Sequence, residues 1–551
     1  MAPVAGAGSY AAEKRKQLGG KSGIAGLMQN KKVFGLTVFA SMGGLLYGYN
    51  QGVFSSVLAM YSFDQRMSSA VSDAGKKGWL VAILECAWLG TLVTGYLADK
   101  LSRRYTIILA VVVFIIGAIV QVTAQGPPAI YGGRFVVGLG VGSLSMIVPL
   151  YNAELAPPEI RGSLVALQQL SIVFGILISF WIDYGTNYIG GTGPTQSEAA
   201  WRLPLALQIV PALVLGVGTL FLPFSPRWLV NQGRDDEALA VLSNTRNLAP
   251  ESELIRLEFL EIKGQYLFEK ETSETKYPQW QDGSFSSDMK LGLHEYLSLL
   301  KTPTLRRRVM VATVTMFFQQ FTGINAILYY APTIFQNLGL TGNTISLLAT
   351  GVVGIVMFLA TIPAVLYVDQ LGRRPVLISG AFIMAFCHIL VGILSSKFQD
   401  SWPSHKAAGW VACVFVWIFS IAFGYSWGPC AWIIVSEIWP LSVRAKGVSI
   451  GASSNWMNNF IIGQVTPPMM EHIRYGTFIF FGIFSFLGGL FIFTIPETSR
   501  LTLEEMDTIF GSESVAKEDQ ERQDAIYRRI GLLGDQTPEK GASEHHEKSS
   551  E

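Results

Sequence analysis

Long apolar stretches, each closed by a short polar break, recur along almost the whole chain. Twelve can be marked, at residues 33–57, 78–98, 105–125, 128–152, 163–184, 202–222, 309–336, 346–368, 375–396, 408–436, 446–470 and 475–495. Each has about the 20 residues that a helix needs to cross a hydrocarbon core of ~30 Å, so the pattern predicts twelve transmembrane helices. One polar interval is far longer than the others. Residues 224–308 include "RDDEALAVLSNTRNL" and "ESELIRLEFLEIKGQYLFEK", both with amphipathic helical spacing. The expected organisation is an all-α membrane protein of two six-helix bundles, 33–223 and 309–495, joined by a helical linker (224–308) and flanked by tails 1–32 and 496–551. In the second tail a short amphipathic piece, "TLEEMDTIF", precedes a charged, Ser/Glu/Lys-rich segment whose composition predicts disorder.

Composition agrees with this pattern: of 551 residues 50% are hydrophobic and 15% charged, and the mean hydropathy is +0.37. A net charge of +1 offers little to a polyanion, and no nucleic-acid partner is expected. The chain shows no nucleophile–base set, phosphate-binding loop or metal-ligand spacing, so neither an enzyme nor a cofactor is expected. Cys86, Cys387, Cys413 and Cys430 all fall inside predicted helices and read as packing residues. Residues 1–32 are polar and Gly/Ala/Lys-rich, unlike a signal peptide, so the first apolar stretch is expected to remain part of the fold. Basic residues set the orientation. They collect in the first tail (Lys14, Arg15, Lys16, Lys21, Lys31, Lys32) and in loops such as "DKLSRR", "GRR" and "RAK", whereas residues 183–200 have none. The positive-inside rule then puts both termini in the cytosol.

The two halves echo each other. "ADKLSRR" after the second stretch answers "VDQLGRR" after the eighth, each with Asp four residues before Arg: Asp99 and Arg103, Asp369 and Arg373. "NAELAPPEIRG" after the fourth answers "VSEIWPLSVRAKG" after the tenth, each with Glu seven residues before Arg: Glu154 and Arg161, Glu437 and Arg444. Internal repeats of this kind mark carriers that expose a central site to each side in turn.

Polar residues inside the apolar stretches suggest what is carried. Gln319, Gln320 and Asn325 surround Gly323 and precede Tyr329, Tyr330 and Pro332, the signature of a broken helix lining a cavity. A carboxamide donates and accepts without charge, which suits the hydroxyls of a neutral polyol. In "GLLYGYNQG", Gly44, Gly48 and Gly52 form one smooth face while Asn50 points elsewhere. Arg134 shares a face with Gly138 and Gly142, so it faces a packed neighbour rather than lipid. Glu85 is an intramembrane carboxylate and His388 an intramembrane imidazole, each a candidate titrating group or a hydrogen-bonded packing residue.

Taken together, "GYNQG", "GYLADKLSRR", "GGRFVVGLGVG", "VPLYNAELAPPEIRG", "PFSPRWL", "QQFTGINAILYYAP", "VDQLGRRP", "WGPCAWIIVSEIWPLSVRAKG", "SNWMNNF" and "PETSRLTLEE" resemble, in order over residues 33–505, a sugar porter of the major facilitator superfamily. The fungal monosaccharide transporters are the most similar in kind. The resemblance implies a small neutral sugar as ligand, a hexose such as glucose or a pentose such as xylose, and a bilayer, most simply the plasma membrane, as the setting. It implies sugar contacts for Gln169, Gln319, Gln320, Asn325, Trp432, Asn455 and Trp456, and places Met357 where relatives carry Asn. It implies a latch of Asp99, Arg103, Glu154, Arg161, Arg227, Asp369, Arg373, Glu437 and Arg444 that joins the halves when their cytosolic ends approach. Ser102 stands where Gly is usual and Phe224 where Glu is usual, which leaves Arg227 short of a partner. In proton-coupled relatives a first-helix carboxylate works beside the arginine matched by Arg134; here that position is Asn50, so uncoupled, facilitated transport is expected. Two alternatives stay open: symport through Glu85 or another carboxylate, and a sugar sensor or receptor.

Overall fold

The computed structural model describes residues 28–157, 160–280, 284–339, 343–440, 443–498 and 513–532, with isolated positions at 14, 17, 18, 26, 509 and 510. The first span is α1 (Lys31–Ala40) continued by α2 (Met42–Val57); the second is α3 (Ala74–Ala82), a 3₁₀ turn (Ile83–Cys86) and α4 (Ala87–Leu101). The third to fifth are α5 (Arg103–Val122), α6 (Pro127–Leu155) and α7 (Arg161–Thr186), and α8 (Ala199–Leu207) with α9 (Ile209–Thr219) makes the sixth. The linker folds as α10 (Pro226–Asn231), α11 (Asp235–Arg246), α12 (Glu253–Lys276) and α13 (Phe285–Ser298). The second bundle follows as α14 (Pro303–Phe321) with α15 (Ile324–Asn337), α16 (Asn343–Leu371), α17 (Arg373–Phe398), α18 (Lys406–Tyr425) with α19 (Trp427–Glu437), α20 (Arg444–His472) and α21 (Gly476–Ile492). Helix α22 (Glu513–Arg529) closes the described chain.

Among the described residues, spans three to ten are long and apolar enough to cross a bilayer, and the second joins them as a bent pair. The remaining three depart for visible reasons. The first is divided at Ser41 into helices of 10 and 16 residues, α20 carries Asn455, Asn458 and Asn459, and α21 has only 17 residues. Lipid-facing and core-facing stripes are clear on α5, where Leu109, Val112, Ile116 and Ile119 are exposed while Ile107, Ala110, Val111, Phe114 and Ala118 are buried.

Lipid gives helices no hydrophobic reason to associate, so close packing depends on small residues. A Cβ on Gly48 would strike the backbone carbonyl of Ile172 in α7, and one on Gly44 or Gly52 would meet Gln168 or Ser179 of the same helix. The glycine face expected of "GLLYGYNQG" is thus the seam between the first and fifth spans. Gly138 and Gly142 of α6 likewise sit on the backbone of Leu84 and Ala87, and Gly90 returns the contact against Leu139.

The halves meet through the same pairing made twice. α3 packs on α20, with Gly78 against the carbonyl of Gln464, and α7 packs on α16, with Leu177 against Gly354 and Trp181 against Gly351. Under the six-plus-six equivalence, span two corresponds to span eight and span five to span eleven, so these are one contact and its symmetry mate. Both lie toward the end remote from the linker.

At the linker end the arginines of the expected latch are held inside their own halves. Arg103 is 2.9 Å from Glu154 and 3.0 Å from Asp99, all in the first bundle, and Arg373 is 2.9 Å from Glu437, both in the second. The described pairs therefore brace each bundle and do not join the two. Arg227, expected to be short of a partner, pairs with Glu269 of α12. Arg444 donates to the carbonyl of Ser436 at 3.1 Å. The side chains of Arg161 and Asp369 lie outside the described residues.

The second tail also departs from expectation. Disorder was expected beyond "TLEEMDTIF", yet α22 docks on α12, with the ring of Tyr527 over Gly264 and Ile526, Tyr527 and Leu532 buried with Leu257 and Phe268. A glycine on α12 makes the seat, and apolar residues on one face of an otherwise charged helix fill it.

Candidate functional site

The site is built around an interruption in the seventh span. Gly323 adopts φ +87° between α14 and α15, and the ring of Phe481 lies where a side chain would project. Only glycine suits both demands. The neighbouring carbonyl of Thr322 is 2.9 Å from Nε2 of the buried His388, so the histidine is a hydrogen-bonded residue of the second bundle.

The break turns carboxamides from α14 and α15 toward one another. Asn325 Nδ2 donates to Gln320 Oε1 at 2.6 Å and to Asn459 Oδ1 at 2.8 Å. Gln319 Nε2 donates to the Trp427 carbonyl at 2.9 Å, while Gln319 Oε1 accepts from Asn455 Nδ2. Gln169, half-buried on α7, lies against Gly428 of α19. Trp432 is half-buried on α19, and Trp456 is buried with its ring centroid 5.2 Å from that of Tyr47. The sequence-predicted contacts thus gather along α7, α14, α15, α19 and α20. Met357 is buried in the apolar core of the second bundle.

Two participants were missed by the sequence reading. Asn459 lies one turn beyond Asn455 in "SNWMNNF", and that i, i+4 spacing is the signal that could have found it. Gln51 adjoins Asn50 and donates to Tyr47 Oη at 3.1 Å and Tyr329 Oη at 3.3 Å.

Glu85 is the carboxylate that this network reaches. It is fully buried in the 3₁₀ turn; Oε1 accepts from the Tyr329 hydroxyl at 2.6 Å and Oε2 from Asn459 Nδ2 at 2.7 Å. Asn50 is also buried, but its amide donates to the Leu46 carbonyl one turn back at 3.0 Å. Arg134 donates to the Val81 carbonyl at 3.0 Å and stacks over Phe54 with its guanidinium carbon 3.7 Å from the ring centroid. That fits the expected packed neighbour, and no described hydrogen bond joins Arg134 to Asn50. Uncharged donors and acceptors here meet where the two bundles face each other, with one carboxylate, Glu85, at their edge.

Two six-helix bundles around a polar centre define a membrane carrier, and comparison with known proteins says which. Residues 36–510 match the profile of the family "Sugar (and other) transporter", and the chain belongs to that family within the major facilitator superfamily. It is similar to a quinate permease of Neurospora africana (34% identity, covering 88% of this chain and 90% of that protein). It is also similar to an MFS glucose transporter of Aspergillus flavus (33% identity, covering 87% and 90%). Among solved structures, the proton:xylose symporter XylE bound to 6-bromo-6-deoxy-D-glucose matches with a TM-score of 0.68 at 28% identity, covering 87% of this chain and 99% of that one. XylE from E. coli in a partially occluded inward-open conformation gives 0.67 at 27%, covering 86% and 100%.

Proposed function

We infer that the protein carries a neutral monosaccharide across the membrane by facilitated diffusion. The observation that carries this reading is the continuous set of uncharged side chains, Gln319, Gln320, Asn325, Asn455 and Asn459, gathered at a helix break where spans seven and eleven face span two. Such groups satisfy hydroxyls at less desolvation cost than ions do. Gln169, Trp432 and Trp456 complete the sugar surface, the indoles acting as platforms with an N–H donor. A hexose such as glucose, or xylose, fits this chemistry and the names of two of the similar proteins. Quinate, named for another, carries a carboxylate that would approach Glu85, while the cation nearby, Arg134, is already engaged by Phe54 and Val81.

Uncoupled transport follows from Asn50, whose carboxamide has no proton to exchange and bonds its own helix. With the termini cytosolic, as the basic loops favour, the contacts of α3 with α20 and α7 with α16 seal the extracellular end. The carrier is then in its inward-facing half of the cycle, with the ion pairs of Arg103 and Arg373 held inside their own bundles. The plasma membrane is the proposed location.

Counterflow of labelled glucose, xylose and quinate in proteoliposomes, at symmetric and opposed pH, tests the reading. Sugar exchange independent of the pH difference is expected. Preferential quinate exchange, or accumulation driven by protons, overturns it.

A further inference from the structure

We propose that Glu85 is the pin that closes the extracellular side of the carrier, set by the same carboxamides that meet the sugar. This rests on the transport reading above. Glu85 belongs to the second span, yet both its oxygens are held by the other bundle, Oε1 by Tyr329 of α15 and Oε2 by Asn459 of α20. The carboxylate is fully buried, and neither donor comes from its own half. Removing Tyr329 and Asn459 from it, as separation of the extracellular ends requires, takes away both hydrogen bonds and leaves only the nearby charge of Arg134 from its own bundle. A buried, doubly bonded carboxylate therefore favours closure strongly.

The pin is connected to the sugar surface. Asn459 offers its Nδ2 to Glu85 and its Oδ1 to Asn325, and Asn325 bonds Gln320. An amide cannot turn to serve one partner without turning away from the other. A sugar hydroxyl that takes over Gln320 or Asn325 thus changes how well Asn459 is oriented toward Glu85, and occupancy at the site is felt at the seam. Gln51 adds a second link across the halves through the Tyr329 hydroxyl at 3.3 Å, and a short distance along α3 the Gln464 amide meets the carbonyl of Gly75 at 3.3 Å.

The test uses the full chain in proteoliposomes with Glu85→Gln, Tyr329→Phe and the double variant. Each single change is expected to slow net sugar uptake about tenfold, and the double change to slow it by about the same factor, because both remove one interaction. Multiplied, roughly hundredfold, loss in the double variant overturns the pin. A second readout needs no sugar: a cysteine placed at Gly75 should react faster with an impermeant maleimide in either variant than in the parent. Unchanged labelling alongside slowed uptake overturns the proposal. So does a Glu85→Gln carrier that keeps exchange and loses only accumulation driven by a pH difference, which would make Glu85 a proton carrier. If the parent protein moves no monosaccharide, the transport reading fails while the labelling arm still reports on the pin.

Discussion

Two side chains at equivalent positions show how a single residue rewrites local structure. In the second bundle Gly372 takes φ +85° before α17, and Glu497 accepts from the backbone N–H groups of Arg373 and Arg374, both at 2.9 Å. In the first bundle the matching turn is Ser102 at φ +95°, in a region that favours glycine, and Phe224 stands where the "PFSPR" motif usually has its carboxylate. Ser102 Oγ takes over part of the capping by accepting from the Tyr105 N–H at 3.3 Å. Phe224 offers its face to Arg104, 5.1 Å away, and stacks on Trp228. The two departures read from the sequence are thus one local rearrangement. Phe224→Glu should return a carboxylate to the start of α5 and raise stability by about 0.3–1 kcal/mol, read as a higher melting temperature in detergent. At Asn50, aspartate is expected to make sugar uptake vary with pH where the parent does not, measured as initial rates in vesicles from pH 5 to 8. Equal pH profiles for both would sink the account of Asn50.

At the scale of elements, buried ion pairs and helix seams decide what can be changed. Arg103 and Glu154 are almost fully buried and bidentate, with Nε and Nη2 both donating. Arg103→Ala strands the carboxylate and should cost about 3–5 kcal/mol, whereas replacing both partners by apolar residues costs far less; thermal unfolding of the single and double variants checks this. Gly48→Ala forces α2 from α7 at a backbone contact that cannot yield by rotating a side chain, with an expected loss of about 1–3 kcal/mol by the same measurement. The twelve spans, the broken seventh helix and the glycine faces were legible because they are written in periodicity and in residues with one physical use. The pairing of Arg103 and Arg373 within their own halves was not, since motif spacing fixes which residues lie near a helix end but not which neighbour they face. Asn459 and Gln51 escaped for a related reason. Each is an ordinary polar residue whose importance appears only when distant helices come together.

For the whole molecule, the linker does more than connect. Lys32 of α1 bonds Asn244 and Asn247 at the end of α11, and Arg246 reaches both Glu258 and the Leu155 carbonyl at the end of α6. From its other side Tyr296 bonds Ser449 at 2.9 Å and Glu295 pairs with Lys446 at 3.2 Å, both on α20. Ending the chain after Phe510 removes α22 and uncovers its seat around Gly264. Such a chain should still move sugar at close to the parent rate, which favours a carrier over a sensor, while trypsin cuts the linker sooner; loss of uptake at normal expression would argue for a signalling or gating tail.

The docking of α22 on α12 has a mechanical side. Polypeptide enters the second bundle from the linker and leaves it toward the tail, so the docking of α22 on α12 brings chain from either side of that bundle back to one body. The first bundle is gripped by that body as well, at α1 and α6. Alternating access as proposed then resembles two doors hung from a shared frame, with α22 as a brace that protects the frame from proteolysis without setting how far either door travels.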